Sequence, residues 1–265
     1  MSHRIHPTAI VSPEATLGEG VEIGPHSIVE GNAVLGDGCI LQSNVLIDRN
    51  TILGKENFVG HGVVLGTPPQ DKKFNINSTS LLVIGDKNLF REYCTVNRAT
   101  GNGAETSIGS GCLLMTQSHV GHNCHIGDEV ILSNIATLAG HVEIHDWAIL
   151  GGLVAIPQFT RVGKGAFVGG FSAMRLDIPP FFRASGRPAE PVGVNTVGMT
   201  RRGISEETIR AVKKVYKILF RRGLGIEEAM EKIREEFAGV PEVETILEFV
   251  AQAKDGIQRP SPQKA

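Results

Sequence analysis

The chain has 265 residues, a formal net charge of -2 and 41% hydrophobic residues. That length allows one or two domains with a continuous core, and the near-neutral balance argues against bulk nucleic-acid binding. No charged-then-apolar leader and no run of about 18 apolar residues is present, so a cytoplasmic protein without a membrane span is expected.

From the N-terminus the dominant signal is a six-residue period. Leu, Ile or Val leads each hexad from Ile5 through Val11, Leu17, Ile23, Val29, Leu35, Leu41, Ile47 and Leu53 to Val59. The fourth place after each lead holds a small or β-branched residue, such as Ala9, Ala15, Ser27, Ala33 and Cys39, with Asn57 the large polar exception. A second block runs from Ile108 to Ala173, led by residues such as Leu114, Val120, Ile126, Leu138, Ile156 and Val168. A hexad is a short strand plus a corner, and three of them close one coil of 18 residues. Stacked coils make a triangular parallel β-helix with strands roughly 4.8 Å apart. The lead and the small residue face the interior, and the frequent Gly just after the lead is expected to supply unusual backbone angles at the corners. Cys39, Cys94, Cys112 and Cys124 all fall on the small interior position and read as reduced packing residues.

Two interruptions break the period, near residues 66–82 and 98–107, and insertions at solenoid corners commonly build a binding face. The first carries Asp71, Lys72 and Lys73. The β-helix is thus expected over 1–175, followed by a Pro- and Arg-rich irregular arm over 176–203. A helical domain is expected over 204–255, with Ser205 as an N-cap ahead of Glu206 and Glu207. Apolar residues recur at helical spacing over 204–222, 226–237 and 243–253. The remaining 256–265 is expected to be disordered.

Ionisable residues cluster late in the β-helix: His119, His122, His125, His141 and His145 are five of nine histidines. Adding 18 to 122 gives Gly140, and adding 18 again gives Gln158. The three share one column about 9.6 Å long. Gly140 leaves a notch beside His122, and His141 stands one coil above Asn123. A second column, Asn134, Gly152 and Gly170, can floor a groove with its two glycines. An exposed imidazole can take a proton from a hydroxyl at neutral pH, and a backbone N–H on the adjacent coil can hold an oxyanion. With all cysteines facing inward, direct attack by an acceptor hydroxyl is the simpler route for acyl transfer. The competing reading is a metal site on His119, His122 and His141, as in the γ-class carbonic anhydrases that share this prism, or a prism without catalysis.

The run HVGHNCHIGDEVILSNIATLAGHVEIHDWAILGGLVAIPQFTRVGKGAFVGG, residues 119–170, resembles the UDP-N-acetylglucosamine O-acyltransferases that begin lipid A synthesis. The QDKK loop at Asp71, the DIPPF segment at Asp177 and the GVN…RRG segment from Gly193 match in order, so the resemblance spans nearly the whole chain. It implies a left-handed parallel β-helix with a C-terminal helical domain, working as a homotrimer with sites between subunits. It implies transfer of an (R)-3-hydroxyacyl group from acyl carrier protein, with no cofactor beyond the phosphopantetheine that the carrier bears. By the same resemblance His122 matches the catalytic base and Gly140 the oxyanion donor. His119, His141 and Gln158 match residues lining the sugar nucleotide, and Asp71 and Lys73 match charged loop residues. Asn195, Arg201 and Arg202 match groups around the nucleotide phosphates, and Gly170 matches the position that helps set acyl length. Arg161, Arg175, Arg183 and Arg187 are a candidate landing area for the acidic carrier.

Four departures stand out. Asn123 follows the base where many relatives have Asp, which implies less anionic support for His122. Pro157, Pro188 and Val197 replace polar residues that the family often has near the substrate. They leave open a UDP 3-amino sugar as acceptor, which would give an amide product.

Overall fold

A computed structural model describes residues 3–260. Among these, two-residue strands recur every six residues and pair in parallel with the strand one coil away. They form three walls: two of eight strands, and one of eleven that includes a terminal hairpin. The first wall starts with Arg4–Ile5, the second with Ile10–Val11 and the third with Thr16–Leu17. From the second coil on, the lead residues are buried, as with Ile23, Val29 and Leu35, and so are the small corner residues Ser27, Ala33 and Cys39. In the first coil Ile5 stays 43% exposed because no coil lies below it.

The corner chemistry differs from the sequence expectation. The residue with left-handed backbone is the one just before the small residue: His26, Asn32, Gly38, Asn44 and Asn50 all have φ between 57° and 68°. Asn tolerates that conformation better than most residues, which explains its recurrence there. The glycine after the lead serves close stacking instead. A Cβ on Gly36 would sit 2.5 Å from the backbone carbon and oxygen of Gly54 in the next coil.

Asn57 is accommodated by a buried ladder. Its amide donates to Gly54 O and Gly85 O, and its Oδ1 accepts from Asn88 N. Asn88 repeats the arrangement, accepting from Cys112 N at 2.8 Å. Every polar group on these two side chains is therefore satisfied, as buried amides require.

Both insertions leave the edge between the second and third walls. The pairing offset rises from 18 to 31 residues at Val64↔Thr95 and is 24 at Thr95↔His119. Arg98 roots the first loop from inside: 1% exposed, it donates to Gly66 O and Asp48 Oδ2 and lies under Phe74.

The arm is more ordered than its composition suggests. Residues Phe182–Gly186 and Ala189–Val194 form an antiparallel hairpin that extends the first wall. Helix α1 (Thr196–Arg201) follows directly. Helices α2 (Glu206–Arg221), α3 (Ile226–Phe237) and α4 (Pro241–Ala251) pack on Phe181, Phe182 and Trp147 as a second core. Ser205 caps α2 by accepting from Thr208 N, as its position implied. The last helix begins earlier than the spacing suggested because Pro241 suits the first helical turn. The expected disorder is corrected over 256–260: Ile257 is buried and Gln258 N donates to Asp177 O. Residues 261–265 lie outside the described residues. No helix among the described residues is long and apolar enough to cross a membrane.

Candidate active site

The walls meet at three edges, and the third-to-first edge shows what a closed corner looks like. Five of its N–H groups are capped from the coil above: Glu19 by Asp37, Lys55 by Asp86, Asp86 by Ser110, Ser110 by Asp128 and Asp128 by Asp146. The equivalent positions on the second-to-third edge are His122, Gly140 and Gln158. Among the described residues the Gly140 N–H has no hydrogen-bond acceptor within the chain. The imidazole of His122, one coil below, occupies the notch beside it, for a Cβ on Gly140 would fall 2.5 Å from His122 Cε1 and 2.6 Å from Nε2.

His122 is held by its other nitrogen. Nδ1 lies 2.8 Å from Asn123 Oδ1. That oxygen also accepts from Thr100 N at 2.9 Å and from the Thr100 hydroxyl at 3.0 Å. An oxygen facing Nδ1 means that Nδ1 carries the proton and donates, leaving the lone pair on Nε2. Around this pair, His141 packs edge-on against His122 with centroids 5.1 Å apart, and its far side stacks on Phe159 at 4.9 Å. Burial pushes His141 below the usual histidine range, helped by the imidazoles of His122 and His125. His119 sits on the second wall with Nδ1 2.7 Å from the Thr95 hydroxyl, and burial lowers its pKa too. A groove of about 810 Å³ opens beside the column, bordered by Asn123, His141, Gln158, Phe159, Arg175 and Lys254. The thiols take no part: Cys112 is pushed up to about 11 and Cys124 to about 12 by burial.

The other expected site residues are spread out. Asp71 and Lys73 lie exposed on the first insertion, where the Asp71 carboxylate accepts from Lys73 N. That loop leaves the same edge as His122, on an earlier coil. Gly170 and Gly152 occupy a different edge, between the first and second walls, and Gly170 is exposed. Arg202 is on the third edge, paired with Glu129 at 2.6 Å and standing over Trp147. The pairing holds Glu129 below the usual carboxylate range. Arg201 is exposed beside it. Asn195 is 8% exposed and caps α1, with its amide donating to Gly165 O and its oxygen accepting from Gly198 N.

Arg161 is corrected from the carrier-landing group. It lies 2.8 Å from Asp177 and over the Phe249 ring, with 13% of its side chain exposed. Sequence reasoning missed Thr100 and Phe159. The first sits in an insertion, where coil arithmetic fails. The second could have been found one residue beyond Gln158 in the column above His141. His119, His122 and His141 do not converge within one chain, and no three His, Cys, Asp or Glu side chains form a cation cage among the described residues.

The chain matches known proteins along nearly its whole length. Residues 177–258 match the model of UDP-N-acetylglucosamine O-acyltransferase domain 2, and residues 14–49 match the bacterial transferase hexapeptide. The acyl-[acyl-carrier-protein]–UDP-N-acetylglucosamine O-acyltransferase of Thiobacillus denitrificans is 51% identical over 96% of this chain and 99% of its own length. The chain belongs to this family. An Anaeromyxobacter member is 48% identical over 96% of this chain and 99% of its own. Among solved structures, LpxA from Acinetobacter baumannii superposes with a TM-score of 0.92 at 36% identity, covering 96% of this chain and 99% of that one. The UDP-N-acetylglucosamine acyltransferase of Francisella novicida gives 0.93 at 35% identity, covering 98% and 95%. The prism is accordingly the left-handed parallel β-helix that the resemblance implied.

Proposed function

We propose that this chain transfers an (R)-3-hydroxyacyl group from acyl carrier protein to the 3-hydroxyl of UDP-N-acetylglucosamine, the first step of lipid A synthesis, with His122 as general base. The observation that carries the mechanism is the pairing of His122 with the uncapped Gly140 N–H one coil above. Nε2 takes the proton of the attacking hydroxyl as its oxygen bonds to the thioester carbonyl carbon. The carbonyl oxygen becomes an oxyanion that the Gly140 N–H is placed to receive. The C–S bond then breaks, the ester remains on the sugar, and the imidazolium returns its proton to the departing thiolate. General-base assistance of this kind contributes about 10²- to 10⁴-fold, and one oxyanion donor on the order of 10²-fold or more.

The placement of the remaining groups supports a homotrimer with sites between prisms. The His122 column, the Gly152–Gly170 column and Arg202 occupy three different edges of one prism, so no single chain gathers them. The first-to-second edge also carries an exposed apolar column, Ile135, Leu153 and Phe171, at 41%, 44% and 58% exposure. All three have positive φ, which is strained for a β-branched residue such as Ile135. Such a column is suited to contact with a neighbouring prism or an acyl chain, and Gly170 beside it gives that chain room. His119, His141 and Gln158 border the sugar-nucleotide space in this reading. Asp71 and Lys73 reach it from the loop, and Arg201 and Arg202 offer their donors to its phosphates. Asn195 acts at one remove, by starting the helix that presents both arginines. Arg175, Arg183 and Arg187 remain for the carrier.

The test is His122→Ala in the purified protein, assayed with hydroxyacyl carrier protein against UDP-N-acetylglucosamine and its 3-amino analogue. Turnover is expected to fall by at least about 10²-fold with the thermal transition and oligomeric mass unchanged. Near-normal turnover in that variant would overturn the assignment, and a preference for the amino sugar would redirect the acceptor.

A further inference from the structure

The second insertion carries, near its start, a threonine whose polar groups all meet one side chain. Thr100 N donates to Asn123 Oδ1 at 2.9 Å, its hydroxyl donates to the same oxygen at 3.0 Å, and its carbonyl accepts from Asn123 Nδ2 at 3.3 Å. Asn123 N donates to the Thr106 hydroxyl at 2.8 Å, so the asparagine backbone is fixed as well. A primary amide has two ends of almost equal size, and its neighbours decide which end faces the imidazole. Here the Thr100 N–H and hydroxyl both donate to the oxygen and the Thr100 C=O accepts from the NH₂, so three contacts together weight the amide toward one orientation, the hydroxyl among them. With the oxygen toward His122, Nδ1 holds the proton and Nε2 the lone pair. Flipped, the amide would offer its NH₂ to Nδ1, place the ring proton on Nε2 and leave no base facing the acceptor. We propose that Thr100 is a positioning residue, which sets the His122 tautomer by holding the Asn123 amide in one orientation. The proposal rests on His122 being the base.

A carboxylate at position 123 would need no such control, since both its oxygens accept. That contrast makes the inference testable as a double-mutant cycle on the full-length enzyme. Thr100→Val removes the hydroxyl and is expected to lower kcat by about three- to tenfold, the weight of one neutral hydrogen bond. The KM for UDP-N-acetylglucosamine should stay within about twofold, and Thr100→Ser, which keeps the hydroxyl, should recover kcat. In an Asn123→Asp background the same Thr100→Val change should alter kcat less than about twofold. Equal losses in both backgrounds, a change confined to KM, or no recovery in the serine variant would overturn it. Nitrogen NMR of the His122 ring separates this proposal from the reading beneath it. A wild-type ring protonated on Nδ1, with the other tautomer growing in Thr100→Val, supports the positioning role even if His122→Ala removes the base assignment. An unchanged tautomer in Thr100→Val sinks the positioning role alone.

Discussion

Two edges of the same prism carry the same corner fold and opposite chemistry. On the third-to-first edge, Asp37, Asp86, Ser110, Asp128 and Asp146 hand an oxygen down to the N–H of the coil below. On the second-to-third edge the corresponding positions are an imidazole, a glycine and an amide, and the Gly140 N–H stays uncapped. Stability asks a solenoid to close its corner donors, while catalysis asks it to leave one facing a substrate. Both insertions leave the open edge, which gives it the walls and charges that a smooth prism lacks.

The sharpest way to break the comparison after His122→Ala is Gly140→Ala. Its Cβ would meet the His122 ring at 2.5 Å, and a side chain yields more readily than backbone. The ring should therefore move by on the order of 1 Å, and a loss of about 10² in kcat is expected with little change in melting temperature. A variant with wild-type kcat would show that the ring need not rest on that glycine. On the closed edge, Asp128→Ala should do the reverse. Removing the cap on Ser110 N should lower stability by on the order of 1 kcal/mol, read from a denaturant midpoint, with kcat unaffected. Lost activity there would mean that the two edges are not independent.

A smaller effect concerns pH. Burial holds His119 below its ordinary range, and His141 and His145 shift the same way for the same leading reason. An unfolded chain protonates these rings near pH 6.5, so below that it binds more protons than the folded state. Their contribution is flat above about pH 6.5 and costs stability as pH falls from there toward the folded values. Chemical unfolding at pH 7.5 and 5.5 should show the decline, and His119→Gln should flatten it. An identical slope in that variant would assign the decline elsewhere.

The architecture was legible because burial on every wall demands the same residue classes at a fixed interval. Over residues 108–173 nothing interrupts the count, so multiples of 18 placed His122, Gly140 and Gln158 on one edge correctly. The glycine after the lead was visible but misread, since spacing alone does not separate a turn that needs positive φ from a backbone that needs room. The hairpin at 182–194 was hidden by prolines and arginines. It forms because Phe182 reaches the helical core and Ala184 the prism core.

The sequence alone determined the period, the inward and outward faces and the column holding the base, because these depend on regular repetition. Tertiary structure decided what each column residue touches. Thr100 lies 23 residues before Asn123 rather than 18, and only the folded insertion carries it to that amide. Arg202 likewise meets Glu129 and Trp147 only after the arm doubles back along the prism. Contacts across an irregular loop have no period to betray them, since the loop's length fixes its reach but not its path.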